Sequence, residues 1–135
     1  MVKTIIASGP VIIERGKLLV SLDRKDDFYK IPGGTFKESD KNLENTCRRE
    51  VKEEINANIE ILGPLHPMLI NKNPRTGEKM IIILIHYKAK LKNKNELKAI
   101  YPIKEYVWLN IDDIKKGKYN VAPNISYLIK QGDIN

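Results

Sequence analysis

The sequence predicts one α/β domain in which a mixed β-sheet is packed between α-helices, an α/β/α arrangement. Three observations carry that expectation. The chain has 135 residues, 41% of them hydrophobic, and no Pro/Gly/Ser-rich linker divides it, so one core is within reach and a single domain covers residues 1–135. Apolar, β-branched stretches of strand length are interleaved with stretches of helical period. The connections between the strands are mostly irregular, which suggests a mixed sheet covered by helices.

The elements are expected in this order. Residues 4–14 read as a strand with a bulge or bend at Gly9-Pro10. Arg15-Gly16 turns the chain into a second strand over residues 17–22, so the two form a hairpin. Residues 23–30 read as a polar loop, and Ile31-Pro32-Gly33-Gly34 marks a sharp backbone feature. Residues 40–55 read as a helix, with Asp40 or Asn42 as N-cap and Asn56 as a residue that tolerates the left-handed conformation at its end. A short strand over residues 59–62 is closed by Gly63-Pro64, and residues 71–78 form a polar turn with Pro74 and Gly77. Strands follow over residues 79–91 and 106–109. A short helix over residues 111–116 is capped by Asn110 and stopped by Gly117, and a last helix covers residues 124–131 with Pro123 at its first turn.

Charge and composition bound the function without choosing it. The formal net charge is +7 and the sequence pI about 9.4, which favours anionic partners such as nucleotides or RNA but equally describes a lysine-rich solvated surface. The single cysteine, Cys47, excludes an intrachain disulfide. The run Met1 to Ala7 carries Lys3 and breaks at Ser8-Gly9-Pro10, so it does not read as a signal peptide. The longest apolar run, Met80 to Ile85, is too short to span a membrane. The expected location is the cytoplasm, with no membrane partner.

The informative segment runs from Gly33-Gly34 to Asn56. At about 100° per residue, Glu50, Glu53 and Glu54 share one helix face with Leu43, Thr46 and Cys47. Three acids on an inward stripe near a helix C-terminus repel one another, suffer from burial and oppose the helix dipole. A bound divalent cation relieves all three costs. Mg²⁺, with Mn²⁺ as a substitute, is the oxygen-seeking choice. Gly33-Gly34 lets backbone amides and carbonyls approach a ligand closely. Phe28 and Tyr29 stand at the mouth of this loop as candidate base-stacking residues.

These residues resemble the signature of the Nudix hydrolases, the MutT-like family. Gly34 matches the first glycine of the family's box, and Arg49-Glu50-Val51-Lys52-Glu53-Glu54 matches its core run without a gap. The resemblance extends to the hairpin before the box, to Phe28–Gly34, and to Glu105-Tyr106-Val107-Trp108-Leu109 followed by Asp112-Asp113-Ile114. Three departures stand out. One residue more separates Gly34 from Arg49 than the pattern has; the first Glu of the box falls on Asp40 or Glu38; and the closing Gly is Asn56.

The resemblance implies Mg²⁺-dependent hydrolysis of a nucleoside diphosphate linked to another group X. Glu50, Glu53, Glu54 and the Gly33 carbonyl are the implied metal ligands, and Arg49 the residue that orients a ligating Glu. Glu53 or a loop acid, Glu105 or Glu96, is the implied proton acceptor, and Gly34 belongs to the substrate loop. A catalytically weak nucleotide-binding module and an RNA 5′-pyrophosphohydrolase are the competing readings, and a homodimer is compatible with the family. Outside the box, His66, His86, Cys47 and Trp108 read as structural or surface residues, and Lys88, Lys90, Lys92 and Lys94 as a solvated strand edge guarded by lysine.

Overall fold

The structure is a computed structural model that describes residues 2–135; Met1, which opens the amino-terminal run considered above, lies outside them. Among the described residues, eight strands and three α-helices build two sheets that share a helix between them.

The first sheet has five strands: β1 (Thr4–Val11), β4 (Gly34–Thr35), β5 (Ile59–Pro64), β6 (Met68–Lys72) and β7 (Lys79–Leu91). It is mixed, as expected: β1 and β7 pair in parallel, and the other pairs are antiparallel. The second sheet, β2 (Ile13–Glu14), β3 (Lys17–Asp23) and β8 (Ile103–Asn110), is antiparallel throughout and was not foreseen as a separate layer.

The chain changes sheets at Ile12, and this explains the first strand. It does not bend at Gly9-Pro10, where pairing with β7 continues unbroken to Val11. Pro10 is tolerated because β4 pairs only with Ala7 and Ser8, so no neighbour on that side needs the N–H that proline lacks. Gly9 is required for another reason. A Cβ there would lie 2.0 Å from the Pro32 carbonyl oxygen, and one on Gly33 would lie 2.5 Å from the Ser8 carbonyl oxygen. Two main chains cross in direct contact. Gly9→Ala is therefore expected to lower unfolding free energy by about 3 kcal/mol, since neither wall is a side chain that can swing away; urea denaturation checks this.

α1 (Leu43–Ile55) begins at Asn42, whose side chain accepts the Asn45 N–H at 2.8 Å, and ends at Asn56, which is left-handed with φ 58°. The predicted start at Asp40 shortens because Glu38–Asp40 form a separate 3-10 turn. Lys41, with φ 71°, links that turn to the helix, so the extra residue of the box is taken up ahead of an undisturbed α1. The inner face of α1 (Cys47, Val51, Ile55) packs with Ile12, Leu19, Tyr87, Ala89 and Leu91 in a first core between the sheets. A second core lies on the far side of the three-stranded sheet, where Leu18, Val20 and Leu109 meet α2 (Ile111–Lys115) and α3 (Pro123–Lys130).

Two expectations about the first sheet change. β6 is a strand, although its last residues fall in the predicted turn; Pro67 before it and Asn71-Lys72 within it hid the signal. The lysines of β7 divide. Lys88 does not guard an edge, since it stands opposite both Val11 and Gly63, whereas Lys90 lies past the end of β1 and pairs only with Glu60, so the strand has a free side there. Among the described residues, no helix is long and apolar enough to cross a membrane.

Candidate active site

Arg49 organises the acids. Its Nε–H donates to Asp40 Oδ1 at 2.7 Å and its Nη2 to Asp40 Oδ2 at 2.9 Å, a two-pronged pair with a carboxylate whose side chain is 3% exposed. Asp40 also accepts the Thr46 hydroxyl at 2.8 Å and the Lys37 N–H at 3.0 Å. The Arg49 guanidinium beside Asp40, with these two donors, holds that carboxyl well below the usual carboxylate range. The same fork reaches onward: Nη2 donates to the Thr35 carbonyl at 3.0 Å, and Nη1 to Glu50 at 2.9 Å and Glu53 at 3.2 Å. Of the two candidates for the first acid of the box, Asp40 occupies the clamp and Glu38 is exposed.

The glycine loop meets these acids. The Gly33 N–H donates to Glu54 Oε1 at 3.3 Å. At Gly34 a Cβ would stand 2.5 Å from the Glu50 carboxyl carbon, so the missing side chain is what lets that carboxylate lie against the strand. Burial, with repulsion from Glu50 and Asp23 and against attraction from Lys30, pushes the Glu54 carboxyl up to about 7.

The three glutamates are not equivalent. Glu50 and Glu54 turn inward as expected, Glu50 with 15% side-chain exposure. Glu53 does not follow them. It stands on the flank of α1 at 53% exposure, held only by Arg49, because the helix axis places it well off the line through Cys47, Val51 and Ile55.

Three predicted residues are absent from this gathering. Along β8, Tyr106 and Trp108 pack on the first core and Val107 on the second, so Glu105 shares the Val107 face and points away from α1. Its carboxylate accepts the Tyr29 hydroxyl at 3.3 Å. Tyr29 is on that far side too, packed edge-on against Tyr119 at 6.3 Å, and does not line the substrate loop. Glu96 is exposed beyond the C-terminus of α1, where its carbonyl accepts the Asn56 amide.

Phe28, the neighbour of Tyr29, does reach a cleft. The cleft measures about 190 Å³ on the sheet face opposite α1 and is lined by Phe28, Ile70, Ile82, Leu84, Gly33 and Gly34. Sequence reasoning missed the ion pair at its rim. Arg75 Nε and Nη2 donate to the two oxygens of Asp26 at 2.8 and 3.0 Å, and the Asp26 side chain is 1% exposed. Asp26 lies in a polar loop and Arg75 in a turn 49 positions later, so no local pattern joins them. His86 also borders the cleft and is buried; its Nδ1–H donates to the Gly9 carbonyl and its Nε2 accepts the Asn124 amide. Burial lowers its pKa and keeps it neutral. Cys47 is buried as expected, its thiol pushed up to about 12 by desolvation, which makes it a poor nucleophile.

The donor set at Glu50 and Glu54 fits a hard divalent cation: two inward carboxylates, mutually repelling, one raised in pKa by burial, against a backbone without side chains. Among the described residues, no three His, Cys, Asp or Glu side chains are already drawn into a cluster around a common centre; Glu53, on the flank of α1, is held by Arg49.

Comparison with known proteins agrees with this fold. Similar solved structures include a NUDIX hydrolase from Nitrosomonas europaea, 17% identical over 95% of this chain and 87% of that one, with a TM-score of 0.77. A UDP-X diphosphatase is 14% identical over 98% of this chain and 66% of its own, also with a TM-score of 0.77. A bifunctional NMN adenylyltransferase/ADP ribose pyrophosphatase from Francisella tularensis, solved with AMP and a manganese ion, is 16% identical over 97% of this chain and 42% of its own, at a TM-score of 0.68. No curated protein sequence matches the chain. Residues 4–130 match the family profile described as NUDIX domain, and with the glycine loop, the Arg49 clamp and the acids of α1 already in place, the chain belongs to the NUDIX family.

Proposed function

We propose that this NUDIX hydrolase cleaves a phosphoanhydride bond in a nucleoside diphosphate linked to a further group X, with Mg²⁺ as its cofactor. The observation that supports this best is the convergence of Glu50 and Glu54 on Gly33-Gly34 at the border of an apolar cleft. Glu50, Glu53, Glu54 and the Gly33 carbonyl would hold the cation, for which the manganese ion of the Francisella protein is a precedent on a similar fold. A bound Mg²⁺ or Mn²⁺ neutralises diphosphate charge and lowers the pKa of water.

The chain's own residues do the rest. Arg49 fixes the Glu50 carboxylate, so ordering it costs nothing at the moment of binding. Glu53, the most open of the three acids, would accept a proton from the attacking water. Gly33 and Gly34 let the diphosphate lie against bare main chain. Phe28, Ile70, Ile82 and Leu84 give the cleft apolar walls suited to the planar base of the nucleoside.

The test is a panel of nucleoside triphosphates, ADP-ribose and dinucleoside polyphosphates with Mg²⁺ and product analysis. Wild type should cleave at least one, and Glu53→Gln should lose about 10²-fold in rate. Equal background rates for both proteins would remove the reading.

A further inference from the structure

The walls of the apolar cleft include basic side chains from Lys30, Arg75 and His86, and the fold disposes of two of them. Arg75 is committed to the enclosed Asp26 carboxylate, which it meets with two N–H groups. His86 is buried and neutral, with both ring nitrogens engaged. Lys30 is different. Among the described residues it forms no ion pair, although it is half-buried.

The main chain fixes where Lys30 stands. Its N–H donates to the Ser21 carbonyl at 3.0 Å, and its carbonyl accepts the Ser21 N–H at 2.8 Å. Tyr29 and Ile31 on either side pack into the second core, so alternation turns the lysine out of that core. It lines the cleft on the same stretch of chain that continues into Gly33 and Gly34. Burial raises the Glu54 carboxyl, and the charge of Lys30 opposes that rise. The ammonium therefore belongs to the cleft and to the surroundings of Glu54 at once.

A half-buried ammonium has given up part of its hydration, and here no carboxylate has replaced it. An anionic ligand supplies the missing partner, and apolar walls strengthen the attraction. A nucleoside seated against Phe28 and Leu84, with its diphosphate reaching Gly33-Gly34, carries its first phosphate past Lys30. We propose that Lys30 binds the phosphate joined directly to the nucleoside, so that the cleft selects nucleotides over uncharged nucleosides before any metal is present. This rests on the proposed seating of the nucleoside in the cleft, so its test is a binding measurement that needs neither metal nor turnover.

NMR titration of the protein in chelator compares AMP, GMP, CMP and UMP, each beside its own nucleoside. Wild type should bind its best monophosphate about tenfold more tightly than the matching nucleoside. Lys30→Met should bind the two alike, at the wild-type nucleoside level, and Lys30→Gln should repeat this. Lys30→Arg should restore the preference. Lys25→Met, which removes an exposed lysine outside the cleft lining, should leave it intact. A preference that survives both neutral variants, that falls equally in Lys25→Met, or that wild type lacks overturns the assignment. Turnover is scored separately. For any substrate cleaved, Lys30→Met should raise KM about tenfold and leave kcat nearly unchanged. A wild type that shows the Lys30-dependent preference but cleaves nothing retains the phosphate contact and removes the hydrolase reading. Cleavage with a KM unmoved by Lys30→Met does the reverse.

Discussion

Arg49→Ala is expected to destabilise the fold by about 3 kcal/mol or more and to lower the melting temperature by roughly 10 °C. The magnitude follows from what is left behind. Asp40 is almost fully enclosed and would lose both prongs of its partner at once, keeping only the Thr46 and Lys37 donors. Arg49→Lys should recover little, because a single ammonium cannot serve Asp40, Glu50 and the Thr35 carbonyl together. A double variant, Arg49→Ala with Asp40→Ala, should cost clearly less than the two single changes summed, since neither partner is then stranded. Strict additivity in urea denaturation would show that the pair is not coupled. The clamp also has an acid signature. A carboxyl with a lowered folded-state pKa stabilises the fold above its ordinary value of 3.8 and loses that contribution as pH falls through the lowered value. Wild type should therefore weaken more steeply in acid than Arg49→Ala does.

Glu54→Gln is expected to abolish hydrolysis by 10²-fold or more while making the metal-free protein more resistant to heat at pH 8. The two effects share one cause. The Glu54 carboxyl rises from an ordinary 4.5 to about 7 in the folded chain, so the folded protein holds a proton there that the unfolded chain has released. That contribution is complete below 4.5 and is lost as pH rises through about 7. Above that, the native state carries a buried charge beside Glu50, and the amide removes it. Mg²⁺ should raise the wild-type melting temperature more at pH 8 than at pH 5, because protons compete for the same oxygens, and should do little for Glu54→Gln. A variant that keeps its activity, or melts as wild type does at every pH, would overturn the role assigned to this residue.

Local rules made much of this legible. The span of α1 and its caps follow from Asn42, Asn56 and the inward period of Cys47, Val51 and Ile55. The hairpin at Arg15-Gly16 forms as expected, both residues having positive φ. What escaped was non-local. Nothing near Ile12 in sequence announces that the chain passes from one sheet to another, and nothing near Asp26 points to Arg75. Tyr29 was assigned to the site by proximity to the glycine loop and Glu105 by the family resemblance, but strand alternation sends Glu105 to the opposite face, where it accepts the Tyr29 hydroxyl. Glu53 shows the limit of a helical wheel: its angle makes it a neighbour of Glu50 and Glu54, while only the position of the core decides which of the three is covered.

The contact of Gly9 with Pro32 and Gly33 separates two kinds of change. The acids belong to α1 and the cleft walls to β6, β7 and the start of α3, and the seam where they meet is naked backbone. Altering Ile70, Ile82 or Leu84 to reshape the cleft disturbs no side chain that touches Glu50 or Glu54. On the proposed reading, recognition of the ligand can thus drift through generations of substitutions while the cutting apparatus stays the same, and one scaffold can be retuned to new molecules without relearning its chemistry.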